Sequence, residues 1–241
     1  MSARPFTVVE CEQRSEAWHT ARLGRLTGSR SAGAFMKTQA GKWSANRKNL
    51  IAALVLERIT GLPQDDRGPS RALNVRDGVA REPFSVFSYE CLTGTIVRSC
   101  GFVADDDLPI GVSLDGYLGD FEGIIECKGP IPATHLETLK ARQLYRVALE
   151  QIENPVTIKE HFRDQIPEIY RWQIKHGLYC TGAYWCDYIS HHPAFPEHLR
   201  SVIIRVTRED AAAELVEYEG LVRDFLAEVD AEYTRVMEMS A

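Results

Sequence analysis

The chain is 241 residues long, 44% hydrophobic and 26% charged, with a formal net charge of −6. This length supports one domain with a sizeable core, and the sequence has neither a membrane-length apolar run nor a basic-then-apolar secretory leader. Cys11, Cys91, Cys100, Cys127, Cys180 and Cys186 form no Cys-x-x-Cys pair and no zinc-like His–Cys spacing, which argues against a zinc module and predicts reduced thiols in a cytoplasmic protein.

An acidic chain is a poor general match for nucleic acid, but the charge is uneven. Residues 1–50 hold nine Lys/Arg against three Asp/Glu, and the remainder nineteen against thirty-one. A basic N-terminal segment on an acidic body allows one local phosphate-facing surface. As charge alone, the asymmetry reads more simply as solvated helix surface.

In chain order, Ser15 to Leu23 reads as a short helix with a serine cap. Ser29 opens another toward Met36. Ser44 to Thr60 is a stronger amphipathic helix, with Leu50, Ala53, Leu54, Leu56 and Ile59 inward and Gly61 at its end. Residues 70–91 are helical in pattern, interrupted by Gly78 and Pro83. A β-rich block follows at 95–104, 109–115 and 123–128. Residues 133–152 are expected to be helical. Pro167 starts a helix running to about Cys180, with Gly182 just past it. Strands are expected at 183–190 and 200–207, and 208–238 is a long amphipathic helix. With no repeat, low-complexity tract or long linker, this order predicts a single α/β domain over 1–241, a central mixed β-sheet flanked by helices.

Residues 111–128, Gly-Val-Ser-Leu-Asp-Gly-Tyr-Leu-Gly-Asp-Phe-Glu-Gly-Ile-Ile-Glu-Cys-Lys, carry the most chemistry. Side chains alternate across a strand, so Glu126 and Lys128 share one face while Cys127 points to the other. A hairpin turn near Gly119-Asp120 folds Asp115 back beside that face. Hard carboxylate oxygens suit Mg²⁺ or Mn²⁺, and a lysine beside such an ion can orient or help deprotonate an attacking water, which is equipment for phosphodiester hydrolysis. Taken alone, an acid followed two residues later by a lysine is an ordinary surface pair. The apolar lead-in Ile124-Ile125, and Asp115 with Gly116 and Gly123 nearby, set this one apart.

Beyond that hairpin, the segment Glu16-Ala17-Trp18-His19-Thr20-Ala21-Arg22-Leu23-Gly24-Arg25-Leu26-Thr27-Gly28-Ser29 places a tryptophan early in a helix, then Arg-Leu-Gly, then a Thr/Ser pair opening the next helix. Residues 77–82 read Asp-Gly-Val-Ala-Arg-Glu, and residues 170–179 read Tyr-Arg-Trp-Gln-Ile-Lys-His-Gly-Leu-Tyr. Together with Asp115, Glu126 and Lys128, these resemble, in order, the motifs of the PD-(D/E)xK nuclease superfamily, and within it the phage lambda exonuclease and YqaJ-type viral recombinase family. The resemblance spans about residues 13–190.

The resemblance implies roles for particular residues. Asp115 and Glu126 would bind the divalent metal with the backbone carbonyl of Cys127, and Lys128 would position or activate the water. Glu82 would complete the metal site, and Gln173 would brace Lys128 or the nucleophile. Arg22, Ser29 and Ser113 would form a pocket for the 5′-phosphate of a DNA end. Arginine's capacity for bidentate phosphate contacts and the free N–H groups of a helix start at Ser29 fit that pocket independently. Read without the resemblance, Arg22 is a surface charge, Ser29 an N-cap, Gln173 an ordinary helix polar residue, and Glu82 a partner for Arg81 or Arg76. Trp18, Trp172 and Trp185 read as core aromatics, His191-His192-Pro193 as a loop, and Asp105-Asp106-Asp107 as a solvated turn.

Two features depart from the family pattern. Pro83 directly follows Glu82 and disfavours helical geometry there. The segment between Lys128 and Gln173 is long, and 129–165 reads as a helical insertion with Lys140, Arg142 and Arg146. The expected function is a Mg²⁺-dependent 5′→3′ double-strand DNA exonuclease, with Mn²⁺ a substitute, from a phage or prophage recombination module in a bacterial host. The resemblance further implies a homotrimeric ring and a single-strand annealing protein that takes the 3′ overhang, with no membrane partner. A site-specific or repair endonuclease on the same core, and a non-catalytic DNA-end-binding module, are the alternatives.

Overall fold

The computed structural model describes residues 5–64, 82–151 and 165–239. In chain order the elements are β1 (Phe6–Val9), α1 (Glu16–Arg22), β2 (Leu26–Thr27), α2 (Gly28–Phe35), α3 (Ala45–Thr60), a helix α4 over 82–93, β3 (Phe102–Asp105), β4 (Ile110–Val112), β5 (Gly116–Leu118), β6 (Gly123–Lys128), α5 (Pro132–Gln151), α6 (Glu168–Thr181), β7 (Trp185–His191), β8 (Ser201–Thr207) and α7 (Ala212–Met237). The strands form two four-stranded mixed sheets, β1-β3-β4-β2 and β5-β6-β7-β8. The expected α/β class therefore holds, with its strands divided between two sheets. The chain passes from one to the other through residues 113–115, between β4 and β5.

Several boundaries follow directly from local chemistry. The Ser15 hydroxyl accepts the Trp18 N–H at 3.2 Å and caps α1. Gly61 ends α3 and Gly182 ends α6, both in the left-handed conformation that a side chain disfavours. β6 pairs antiparallel with β5, as the hairpin predicts, and parallel with β7, so that Glu126 lies opposite Tyr188 and Lys128 opposite Ser190.

Other expectations are corrected. Thr27, not Ser29, occupies the N-cap of α2, and Ser29 lies exposed in its first turn. Glu82 is helical in spite of Pro83, which does not end the helix. The earlier part of the helix expected over 70–91, with Gly78 and residues 77–81, lies outside the described residues, as do residues 152–164 of the 129–165 segment. The strand expected over 95–104 shrinks to β3 and an isolated bridge at Arg98. Leu50 and Leu54 of α3 face inward as expected, but Leu56 and Ile59 are exposed, and Arg47, Val55 and Glu57 are buried beside the leucines. Asp105 is buried, because its Oδ1 accepts the N–H groups of Asp107 at 3.0 Å and Leu108 at 2.8 Å and so shapes the turn into β4. His191 belongs to β7 and is buried with His192; its Nδ1 lies 2.7 Å from the Ser201 hydroxyl.

The main core runs from Leu26 through Phe35, Leu54, Ile110, Ile124, Leu178, Tyr188 and Tyr218 to Val229. Helix α6 is its centre. It packs against β3 and β4 of one sheet and β6 and β7 of the other, and also meets α2 and α7. His176 anchors it: Nε2 lies 2.9 Å from the Gly111 carbonyl, which only accepts, so that nitrogen carries the proton and Nδ1, 2.7 Å from the Tyr218 hydroxyl, accepts. By bridging the two sheets, α6 fixes where β4 hands over to β5.

Candidate active site

The carboxylates and the lysine of the β5–β6 hairpin region converge. The Cys127 N–H donates to Oδ2 of Asp115 at 2.7 Å, which ties Asp115 to β6 between Glu126 and Lys128. Glu126 and Lys128 share a face and form an ion pair, their side chains only 14% and 22% exposed. Burial pushes the Glu126 carboxyl up to about 7; Lys128 opposes this, while Asp115 and Glu82 push it further up. Burial opposes the Lys128 charge, but Glu126 and Asp115 outweigh it and hold the ammonium above the usual lysine range. Burial, and then the charge of Asp115, also raise Glu82. Like charges thus crowd one corner with a single lysine inside it.

Two neighbours were not legible as site residues. Arg14 donates to Glu82 Oε2 at 3.4 Å. Tyr170, from the first turn of α6, places its ring 5.4 Å from the Lys128 ammonium and stacks on Tyr188 at 5.9 Å. Gln173 lies about one turn further along α6. Its Oε1 is buried without a hydrogen-bond partner, so it does not brace Lys128 here.

A second group forms beside the first. Arg22 donates to the Ser113 hydroxyl at 2.9 Å and to the Thr27 hydroxyl at 3.4 Å, with its guanidinium 4.0 Å over the Trp18 ring. The Trp18 indole N–H also donates to Ser113, at 2.8 Å. Trp18 is therefore both core and pocket wall, and Thr27, not Ser29, links Arg22 to the start of α2. Ser113 and Asp115 are two residues apart, so the two groups share one stretch of chain.

The donor chemistry suits a hard divalent ion. No three acidic, histidine or cysteine side chains among the described residues form a ready metal cage. Mg²⁺ does not require one: it is commonly held by one or two carboxylates with waters completing its shell. Asp115, Glu126 and the backbone carbonyl of Cys127 can supply that smaller set. A cation would also offset the burial, and the repulsion from Asp115, that raise Glu126 and Glu82.

Comparison with known proteins places this geometry. The family model of the YqaJ-like viral recombinase domain matches residues 17–184. An alkaline exonuclease, LHK-Exo, from Laribacter hongkongensis is 30% identical, with a TM-score of 0.72 over 92% of this chain and 96% of that one, and its structure in complex with dAMP matches equally. A phage-related exonuclease from Haemophilus somnus 129PT, 12% identical over 90% of this chain and 96% of that one, shares the fold at a TM-score of 0.57. No curated protein sequence matches significantly. A family match from the α1 motif to the start of β7, together with a relative aligned along nearly its whole length, establishes that the chain belongs to the YqaJ-like viral recombinase domain family and is a DNA nuclease of that family.

Proposed function

We propose that this protein is a Mg²⁺-dependent exonuclease that enters double-stranded DNA at a 5′-phosphorylated end and degrades that strand 5′→3′, with Mn²⁺ a working substitute. The observation that carries this reading is the two-residue step from Ser113 to Asp115. It ties the Arg22–Ser113 group to the acidic corner, so a terminal phosphate held by one lies close to the bond cut at the other. Such a link serves an enzyme that cuts next to an end. A site-specific endonuclease has no need of it.

In this reading Arg22 and Ser113 hold the terminal phosphate, with the first turn of α2 and Ser29 beside them. Asp115, Glu126 and the Cys127 carbonyl hold the ion, with Glu82 at its edge. The bound ion would polarise the scissile phosphate and supply a nucleophilic water near neutral pH. Lys128, kept charged by its carboxylate neighbours, donates hydrogen bonds from Nζ that orient the attacking water and offset charge on the phosphate. Gln173, whose buried Oε1 has no hydrogen-bond partner, would take the other role the family pattern gives it, accepting a hydrogen bond from the attacking water. The surviving 3′ strand would pass to a single-strand annealing protein of a phage or prophage recombination system. The protein would act in the bacterial host cytoplasm as a homotrimeric ring, with α7 and the 129–165 segment as interface candidates; no helix among the described residues is long and apolar enough to cross a membrane.

The test uses linear duplex labelled separately on each strand, and closed circular duplex, with Mg²⁺. The 5′-phosphorylated strand should shorten from its 5′ end while the circle stays intact. Cleavage of the circle at a comparable rate would return the enzyme to the endonuclease alternative.

A further inference from the structure

Arg14 has one of two non-glycine backbones at positive φ among the described residues, at 74°. It is the third residue of a tight turn closed by the Ser15 N–H on the Glu12 carbonyl at 3.1 Å, a position that favours glycine. A side chain with a Cβ is strained in this region. The turn is also clamped. Gln13 Nε2 donates to the Leu114 carbonyl at 2.8 Å and the Cys100 carbonyl at 3.3 Å, and Ser15 caps α1. The clamp fixes Arg14 next to the chain that runs from Ser113 to Asp115. From there its guanidinium reaches Glu82 at 3.4 Å, with 51% of the Arg14 side chain and 28% of the Glu82 side chain exposed. An ion pair this open contributes little to folding, so it does not offset the backbone conformation that creates it. Strain held in place at a functional corner is a common sign of a working side chain.

We propose that Arg14 is a DNA-phosphate contact of the catalytic corner: Glu82 holds its guanidinium in the free protein, and it transfers to the backbone phosphate next to the terminal one when a DNA end binds. Arg22 sits at one end of the Ser113–Asp115 step and Arg14 near the other, so the two arginines would take two consecutive phosphates of the same strand. A guanidinium matches phosphate better than a single carboxylate oxygen, because it can donate two parallel hydrogen bonds to two phosphate oxygens. Charge developing on that phosphate during cleavage would strengthen the contact.

This inference rests on the nuclease reading, and the experiment separates the two. Binding of a 5′-phosphorylated duplex is measured in EDTA across a KCl series, which needs neither metal nor turnover. Arg14→Gly suits the backbone and should leave the thermal midpoint unchanged or higher. It should lower the log–log salt slope of binding by about 0.9, the signature of one lost phosphate contact. Arg14→Lys should restore the slope, since it restores the charge. With Mg²⁺, turnover of the glycine variant should fall about 10- to 100-fold, and that of the lysine variant by less. A glycine variant that binds with the wild-type slope overturns the role of Arg14 and leaves the nuclease reading standing. A wild-type protein that does not bind duplex ends overturns both.

Discussion

Two inward-facing glutamates are treated in opposite ways. Glu57, on α3, has a side chain only 2% exposed, and every direction of its carboxylate is answered. Arg30 donates to both oxygens, at 2.5 and 2.9 Å, and the Gly24 and Gln64 N–H groups add bonds at 2.9 and 3.0 Å. Burial alone would raise its pKa, but Arg30 and these N–H groups reverse the direction and hold it below the ordinary value. Glu126, on β6, is also buried, with Lys128 against it and two more carboxylates nearby; burial, and then Asp115 and Glu82, push its carboxyl up to about 7 in spite of Lys128. A buried acid with its lone pairs filled joins α2, α3 and the loop behind them. A buried acid whose neighbours include two more carboxylates suits a bound cation, the role proposed for this corner.

That contrast gives the largest expected effect. Glu126→Gln should lower cleavage by about 10³-fold or more, because a lost ion ligand removes several kcal/mol of transition-state stabilisation. Its thermal midpoint should change little, because Asp115 stays beside Lys128 and still offsets its charge while one of the crowded carboxylates is removed. Glu57→Gln should do the reverse. It leaves Arg30 beside a neutral amide in a buried place, which should lower the unfolding free energy by about 3 kcal/mol, while cleavage at low temperature stays within a few-fold of wild type. Denaturant melts and single-turnover assays on both variants decide the matter. A Glu126→Gln protein that is active, or that melts early while Glu57→Gln does not, would break the comparison.

The two glutamates also show what the sequence could reveal. Strand β6 was legible because its signals are local: an apolar lead-in, alternation over six residues, and a turn of known length. The structure places β6 at Gly123–Lys128, the expected span. Glu57 was not legible. Helical periodicity found α3, but apolar spacing turned Leu56 and Ile59 inward, and the partner that draws Glu57 inside is Arg30, 27 residues earlier. Arg14 and Glu82 lie 68 residues apart, and nothing local pairs them. β1, β2 and β5 run for four, two and three residues, too short for alternation to be read. Asp105 looked solvated because its neighbours are Asp106 and Asp107, yet its oxygen serves the backbone of the next turn.

The scaffold should also respond to acid in a way the corner does not. Burial lowers His176 from 6.5 to about 4, although the Gly111 carbonyl pulls the other way. The folded protein therefore resists a proton that the unfolded chain accepts. The stability this contributes is complete above about pH 6.5 and is lost as pH falls towards 4, about 3 kcal/mol in all. His176→Gln keeps a donor and an acceptor without titrating there. Its unfolding free energy should be lower than that of wild type at pH 7.5, with a shallower decline between pH 6.5 and 4.5. Equal slopes in urea melts across that range would assign the acid sensitivity to other groups.

The smallest expected effect carries the comparison over to the arginines. Arg30 is closed on a carboxylate by two hydrogen bonds. Arg22 instead donates to the Ser113 and Thr27 hydroxyls and lies over the face of Trp18, contacts that fix the direction of its guanidinium. An oriented cation beside the chain leading to Asp115 is suited to an incoming anion, and a terminal phosphate is the anion that a DNA end presents. Arg22→Ala should therefore remove the preference for 5′-phosphate over 5′-hydroxyl ends. A charge-assisted contact of about 1.5–3 kcal/mol corresponds to roughly a 10- to 150-fold change in relative rate. Initial rates on the two duplexes, measured side by side for wild type and variant, give the ratio directly. Truncation also removes the Trp18 and Ser113 contacts, so Arg22→Lys is the control. It keeps the charge and loses the fork, and it should keep part of the preference. If the alanine variant discriminates as wild type does, Arg22 belongs with the scaffold arginines, and the end-binding group must be sought elsewhere around the acidic corner.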